Sequence, residues 1–238
     1  MRAAEAAVHL PKSYRVRAEL EQLLVGLGEG DAVPAERELA LRCGVSRETV
    51  RQAMHELLVE GRVERRGRGT VVASPKLVQP LSLRSYTEGA LSQGRVPGRE
   101  LVSLGRLEAD EELAAELDLP VGAQVVHLER VLLADGNKIG LESTYLPAGR
   151  FGEMAETFDP AESLYAAIRA TGVVFTSATE RIETVLASPR EAALLDSAAS
   201  MPMLLLHRTS LDAGGVPIER VRSLYRGDRV AFVAALRE

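Results

Sequence analysis

The chain has 238 residues, 46% of them apolar and 26% charged, and a net charge of −5. That is the balance of a soluble globular protein of one large or two ordinary domains. No apolar run approaches the roughly 20 residues that span a bilayer, the opening MRAAEAAVHLPKSY lacks the apolar core of an export signal, and a single Cys43 excludes an intrachain disulfide and fits a cytoplasmic setting.

Tyr14 to Leu27 reads as a first helix. Tyr14, Arg17, Leu20, Leu24 and Leu27 recur every three or four residues, and Val16 and Leu23 widen the apolar face. GLGEGDAVP breaks it with three glycines and a proline. Glu36 to Cys43 is the second predicted helix, with Leu39, Ala40 and Cys43 inward and Gly44 ending it in the left-handed conformation. Cys43 reads as a small buried filler there. Ser46 is placed to cap a third helix, which buries Val50, Ala53, Met54, Leu57 and Leu58 and stops at Gly61. Val63 and Thr70–Val72 read as short strands joined by ERRGRG. Helix, helix, turn, helix, strand, strand is the order of a winged helix-turn-helix.

The charge of this unit is clustered rather than large. Arg62, Arg65, Arg66 and Arg68 face only Glu64 between Gly61 and Thr70, and local clustering is the footprint of phosphate contact. On the third helix Arg47, Glu48, Arg51 and His55 follow one flank beside the buried stripe. Arg47 and Arg51, one turn apart, are each able to reach guanine O6 and N7 in a major groove. Thr49 stands in the first turn, where hydroxyl and free N–H groups hold phosphate. Arg37 opens the second helix. Gly67 and Gly69 let the Arg65–Arg68 hairpin approach a groove closely. Any one of these arginines, taken alone, is as well read as a solvated surface charge; the combination points to DNA. His55 reads as a surface residue.

ASPKLVQP carries two prolines and no helical period, so residues 74–80 read as a linker between a DNA-binding domain, 1–73, and a second domain, 81–238. In the second domain QVVHLERVLLADGNKIGLESTYLP is a hairpin around Asp135-Gly136, and MLLLHRTSLDAGGVPIERVRSLYR a second around Gly214-Gly215. The two belong to an internal repeat. At an offset of 78 residues, Leu117/Leu195, Asp118/Asp196, Leu128/Leu206, Arg130/Arg208 and Gly136/Gly214 match, each copy reading helix then hairpin. Two such units predict an α+β domain with one antiparallel sheet and helices on one of its faces. No nucleophile elbow, dinucleotide fingerprint or metal-ligand spacing occurs, so no enzyme activity, metal or cofactor is expected. Arg130 lies inside an apolar strand, Glu142 in its partner strand and Glu219 in the matching strand of the second copy. An arginine fork suits phosphate or carboxylate; spacing alone equally permits a cross-strand Arg130–Glu142 ion pair with no ligand.

PAERELALRCGVSRETVRQAMHELLVEGRVERRGRGTVV closely resembles the DNA-binding domain of the GntR family of bacterial transcription regulators. The resemblance implies that Arg37, Arg47 and Arg51 contact operator bases, that Thr49 helps hold phosphate and that Gly69 sits at the wing contact beside Arg65, Arg66 and Arg68. Ala35 stands where the family usually has Ser, which removes a capping box with Glu38, and the wing is one residue shorter than usual. LSLRSYTEGALSQGRVPG, LERVLLADG, LESTYLP, SLYAAI and PIERVRSLYRGDR resemble the UTRA effector domain of the HutC subfamily, whose fold is similar to chorismate lyase. That likeness implies a phosphate-holding turn at Ser85, Tyr86 and Thr87, phosphate contacts from Arg130 and Ser163, and sugar contacts from Glu142, Glu219 and Tyr225. Amino-sugar-phosphate sensors commonly carry a second arginine where this chain has Leu132, which leaves phosphorylated and unphosphorylated ligands both open. The expected protein is a homodimeric repressor with three kinds of partner: a double-stranded DNA operator, a small-molecule effector (sugar, sugar phosphate or other small anion) and a second copy of itself. The alternatives are a chorismate-lyase-like enzyme with an accessory DNA-binding domain and a DNA-binding structural protein without a ligand.

Overall fold

The computed structural model describes residues 12–236; the N-terminal stretch read as lacking an export signal lies largely outside them. The chain divides into two compact units between Lys76 and Leu77.

The first unit is α1 (Lys12–Val25), α2 (Glu36–Cys43), α3 (Arg47–Val59), β1 (Val63–Arg66) and β2 (Gly69–Val72). Its core joins Val16, Leu20 and Leu24 of α1 to Leu39, Val50, Ala53, Met54, Leu57 and Val63. The buried stripe of α1 runs through Ser13, Val16, Leu20 and Leu24, while Tyr14 is 54% exposed. The expected stripe through Tyr14 and Arg17 is therefore off by part of a turn: the i, i+4 series Val16, Leu20, Leu24 faces the core instead. Leu58 is partly buried against the core. Gly44 takes φ 62 and returns its N–H to Ala40 O. Ser46 accepts from Thr49 N and caps α3. Ala35 gives α2 no side-chain cap, an omission worth roughly 0.5–2 kcal/mol. Cys43 is half-buried, not fully inward, and its thiol donates to Glu19 Oε2 at 2.9 Å. Burial, then Glu19, push that thiol up to about 11, so it stays protonated and unreactive.

The hairpin β1–β2 turns through Gly67 and Arg68, with Arg66 opposite Gly69. Gly67 at φ 60 supplies the left-handed residue a two-residue loop needs, and this is how the shorter wing closes. The chain after α1 braces the far side of β2: Gly30 N donates to Val72 O, Val72 N to Asp31 O and Val33 N to Thr70 O, all at 2.9–3.0 Å.

The second unit contains β3 (Leu77–Pro80), α4 (Tyr86–Leu91), β4 (Pro97–Glu108), α5 (Glu111–Leu117), β5 (Gln124–Ala134), β6 (Asn137–Pro147), α6 (Ala148–Thr157), α7 (Leu164–Ala170), β7 (Ser177–Leu186), α8 (Pro189–Leu194), β8 (Pro202–Leu211), β9 (Pro217–Arg226) and β10 (Val230–Val233). Both expected hairpins are present, β5–β6 and β8–β9. Asp135 and Gly136 have φ 50 and 76, the double left-handed turn that matches strand twist. Leu77–Pro80, expected within the linker, is instead a strand paired in parallel with Val230–Val233. Pro80 ends the strand and Pro75 precedes it, so no ladder N–H is missed.

The six-stranded antiparallel sheet has the order β4-β5-β6-β9-β8-β7. Read outward from the β6–β9 seam, each half is a three-stranded meander with a helix before its middle strand. The 78-residue repeat is thus a pseudo-twofold, and it reaches further back than the hairpins: Ser85 caps α4 as Ser163 caps α7. Asp118 and Asp196, matched by the offset, are both left-handed after their helices. Helices cover both faces, not one. Val126, Leu128 and Leu132 face α4, α6 and α7, while Val125 and Val131 face α5 and α8. The middle strands are apolar on both faces, which requires two covering layers.

Candidate functional site

The basic residues named above lie on the surface of the first unit, with Arg65 and Arg66 leaving opposite faces of the wing strand. Arg37, Arg47, Arg51, Arg65, Arg66 and Arg68 are exposed and Thr49 is half-buried at the start of α3, its hydroxyl 2.9 Å from Ser46 Oγ. One carboxylate connects helix and wing. Glu36 Oε2 lies 3.6 Å from Arg51 Nε, and Glu36 Oε1 accepts from Arg65 Nη2 at 3.3 Å. Arg51 also donates to Glu48 at 2.7 Å, and Arg65 to the buried Thr70 hydroxyl at 2.9 Å. Arg66 pairs with Glu64 at 2.7 Å. Ion pairs this exposed are worth about 0–1 kcal/mol, so they aim the guanidinium groups without preventing exchange to a phosphate or a base.

In the second unit three residue rows across the sheet form the floor of a cavity of about 70 Å³. One row is Thr144, Val221, Arg208; the next Arg130, Glu142, Ser223, Leu206; of the third, Leu132, Gly140, Tyr225 and Leu204, only Tyr225 reaches the cavity. Ser85, Tyr86, Arg99, Ser163 and Tyr165 are among the other residues that line it. Of the expected residues, Ser85, Tyr86, Arg130, Glu142, Ser163 and Tyr225 meet here. Arg130 is 2% exposed. Its Nη2 donates to Glu142 Oε1 at 2.9 Å, and its Nη1 to Pro160 O and Glu162 O at 3.2 and 3.0 Å. The cross-strand pair and the cavity wall are therefore the same two side chains. Ser85 is committed to a capping box with Glu88. Gly140 is required where it stands, since a Cβ there would lie 2.8 Å from the Tyr225 ring. Thr87 reaches the cavity only through Arg99, whose Nη2 donates to its hydroxyl.

Glu219 departs from expectation. It is fully buried, and its Oε1 accepts from Tyr165 Oη and Ser210 Oγ. It sits one hydrogen bond from the cavity, through Tyr165, instead of on the wall. Regular register sets Glu219 against Ser210, one row beyond the Arg208–Val221 pair that lines the cavity. Tyr165 also accepts from Arg208 Nη1 at 2.9 Å, and Arg208 is held besides by Glu180 and Ser82 O. Burial raises the Glu219 carboxyl to about 7, partly offset by Tyr165, Ser210 and Arg208. A carboxyl raised in the folded state favours folding fully below its unfolded value near 4.5 and loses that contribution as pH rises through 7. Glu219→Gln should thus gain relative stability between pH 5 and pH 8, by a few kcal/mol at most. Urea midpoints of both proteins across that range check it; parallel pH profiles would refute a shifted Glu219.

Arg99, Tyr165 and Arg208 escaped the sequence reading. Arg208 had a signal, as the repeat partner of Arg130. Tyr165 lay within SLYAAI. Arg99 follows only from strand register.

Comparison with known proteins agrees with this architecture. Residues 12–72 match the model described as bacterial regulatory proteins, gntR family, and residues 92–231 match the UTRA domain. The chain is 54% identical over 233 residues, 98% of this chain and 96% of the relative, to the HTH-type transcriptional repressor PhnF of Mycolicibacterium smegmatis. It is 35% identical over 94% of both chains to the HTH-type transcriptional repressor NagR of Bacillus subtilis. The crystal structure of PhnF from Mycobacterium smegmatis superposes with a TM-score of 0.70, covering 93% of this chain and 99% of that one. A winged helix-turn-helix followed by a duplicated antiparallel sheet around a polar cavity, matched along nearly the whole chain, makes this protein a member of the GntR family of bacterial transcription regulators, with a UTRA effector domain.

Proposed function

We propose that the protein is a homodimeric repressor. Its α3 helices and wings read two half-sites of a pseudo-palindromic operator, and a small phosphoryl-bearing metabolite, of sugar-phosphate class, occupies the cavity of the second unit. Arg37, Arg47 and Arg51 serve as base contacts, Thr49 as a phosphate contact, and Arg65, Arg66, Arg68 and Gly69 as wing contacts. Arg130 and Ser163 hold the anion with the Ser85–Thr87 turn, and Glu142 and Tyr225 face the rest of the ligand. The observation that carries this reading is Arg130, almost wholly buried yet on the cavity wall. A buried guanidinium is costly unless paired, and a cavity that offers it one carboxylate retains attraction for a further anion. Repressor names on both full-length relatives support the sign of regulation. Ligand binding would favour a state whose half-site spacing misses the operator.

The test is operator release across a metabolite panel containing matched pairs, such as glucosamine and its 6-phosphate. A phosphorylated member that releases the operator, with its partner inactive, supports the reading; release by none sinks it. The wing adds a separate expectation. Replacing Arg65 and Arg68 with Ala should flatten the salt dependence of DNA binding by up to about one unit of slope per lost phosphate contact, with little change in sequence preference. An unchanged slope would mean that the two-residue wing does not touch DNA.

A further inference from the structure

The two halves of the cavity are built alike and charged differently. Arg130 donates to the carbonyl of Pro160, and Arg208, 78 residues on, donates to the carbonyl of Ser82, 78 residues before Pro160. Each arginine thus ties its own strand to the segment before the other half's helix. The second half then neutralises itself. Glu180 stands directly opposite Arg208 and pairs with it, and Tyr165 takes a further donor. The first half has no acid in that place: the residue opposite Arg130 on the outer strand is Leu101.

One position over, the difference is of the opposite sign. Leu132 faces Arg99 across β4 and β5, whereas Ser210, its counterpart by the offset, faces Ala178. The first half therefore gathers two guanidinium groups, Arg99 and Arg130, with Glu142 as the carboxylate beside them. Directly opposed residues on an antiparallel pair share a face with Cβ atoms about 4.5–5.5 Å apart. A guanidinium rooted at Arg99 thus lies on the same face of the sheet as one rooted at residue 132.

Local structure leaves Arg99 under-used. Nη2 donates to Thr87 Oγ1, Nη1 reaches Ala161 O only at 3.5 Å, and the guanidinium lies 5.6 Å above the Tyr86 ring. Among the described residues, the Nε atoms of Arg99 and Arg130 are both buried without a hydrogen-bond partner. Burial, then the neighbouring Arg130, hold the Arg99 guanidinium below its ordinary value. Two like charges brought together out of water are relieved by an anion shared between them.

We infer that Arg99 is the second cation of the anion site, supplied from β4 in place of the one that Leu132 leaves out, and that the site takes a doubly charged phosphoryl group between Arg99 and Arg130. This rests on the phosphoryl reading above and adds a residue that determines specificity. It also resolves the choice that Leu132 leaves open, in favour of a phosphorylated ligand.

The experiment is calorimetry on the full chain with three probes: inorganic phosphate, glucosamine 6-phosphate and glucosamine. Arg99→Ala should weaken both phosphate-bearing probes by about tenfold or more, the usual scale for a charge-assisted hydrogen bond. Adding Leu132→Arg to Arg99→Ala should restore most of the loss, because the cation returns to the same face from the neighbouring strand. Arg99→Lys, with charge but no fork, should fall between wild type and Arg99→Ala, and covers the case in which the alanine variant does not fold. Unchanged affinity in Arg99→Ala or Arg99→Lys would overturn the inference alone. So would a loss that Leu132→Arg does not restore. A wild-type protein that binds neither phosphate-bearing probe overturns the phosphoryl reading and this inference together.

Discussion

Replacing Arg47 and Arg51 together by alanine should remove specific operator binding while leaving the protein folded. A bidentate arginine–guanine contact carries about 1–3 kcal/mol of discrimination, so each side chain is worth roughly ten- to hundredfold in affinity. The fold should not notice. Both side chains are exposed, and the residues that hold α3 in place, Val50, Ala53, Met54 and Leu57, are 0–1% exposed on the opposite flank. Arg51 loses only surface pairs with Glu48 and Glu36. Operator affinity, non-specific affinity and thermal midpoint should be measured on the same preparations. The expected pattern is a collapse of the ratio of specific to non-specific binding at an unchanged midpoint. A folded double mutant with the wild-type ratio would show that α3 does not read bases.

How much of this was legible depended on the range of the interaction. Ser46, Gly44 and the Val50–Leu57 stripe act within one or two helical turns, so α2 and α3 could be placed to within a residue or two from spacing and capping alone. The hairpins at Asp135-Gly136 and Gly214-Gly215 were as plain, because turn chemistry is local. Long-range pairing left no such trace. Leu77–Pro80 looked like linker because its partner, Val230–Val233, lies at the far end of the chain. Helices on both faces were missed because Val131 and Leu132 both being buried reads the same in sequence as one strong strand. Arg99 could not be assigned to the cavity without the register that sets it against Leu132 across a bulged pair. Glu219 is the converse case: the strand was legible in the sequence, but which row of it lines the cavity depends on the pairing with Ser210, one row beyond Val221.

The largest stability effect should come from Arg130→Ala. Arg130 is 2% exposed, and its side chain is shared among Glu142, Pro160 O and Glu162 O, with the Phe158 ring 5.9 Å away. Truncation strands the carboxylate of Glu142 in a half-buried place and leaves two carbonyls without their donor. Removing one partner of a buried pair costs about 3–5 kcal/mol, a large share of the 5–15 kcal/mol that a domain usually has. Most of that penalty belongs to the abandoned charge, so a second change should return part of it. Arg130→Ala with Glu142→Leu should be more stable than Arg130→Ala alone, although neither should bind a phosphate-bearing ligand. Arg130→Met, which keeps the volume and loses the charge, should lie between. Unfolding should be followed on the full chain with probes in each unit, since the two units need not melt together. A double-mutant cycle over Arg130 and Glu142 then isolates their coupling. A coupling near zero, or an Arg130→Ala variant as stable as wild type, would mean that the pair contributes nothing to the fold. The cavity would then be held open by the surrounding strands and by Tyr225 against Phe232, 5.3 Å apart, and Arg130 would be there for the ligand alone.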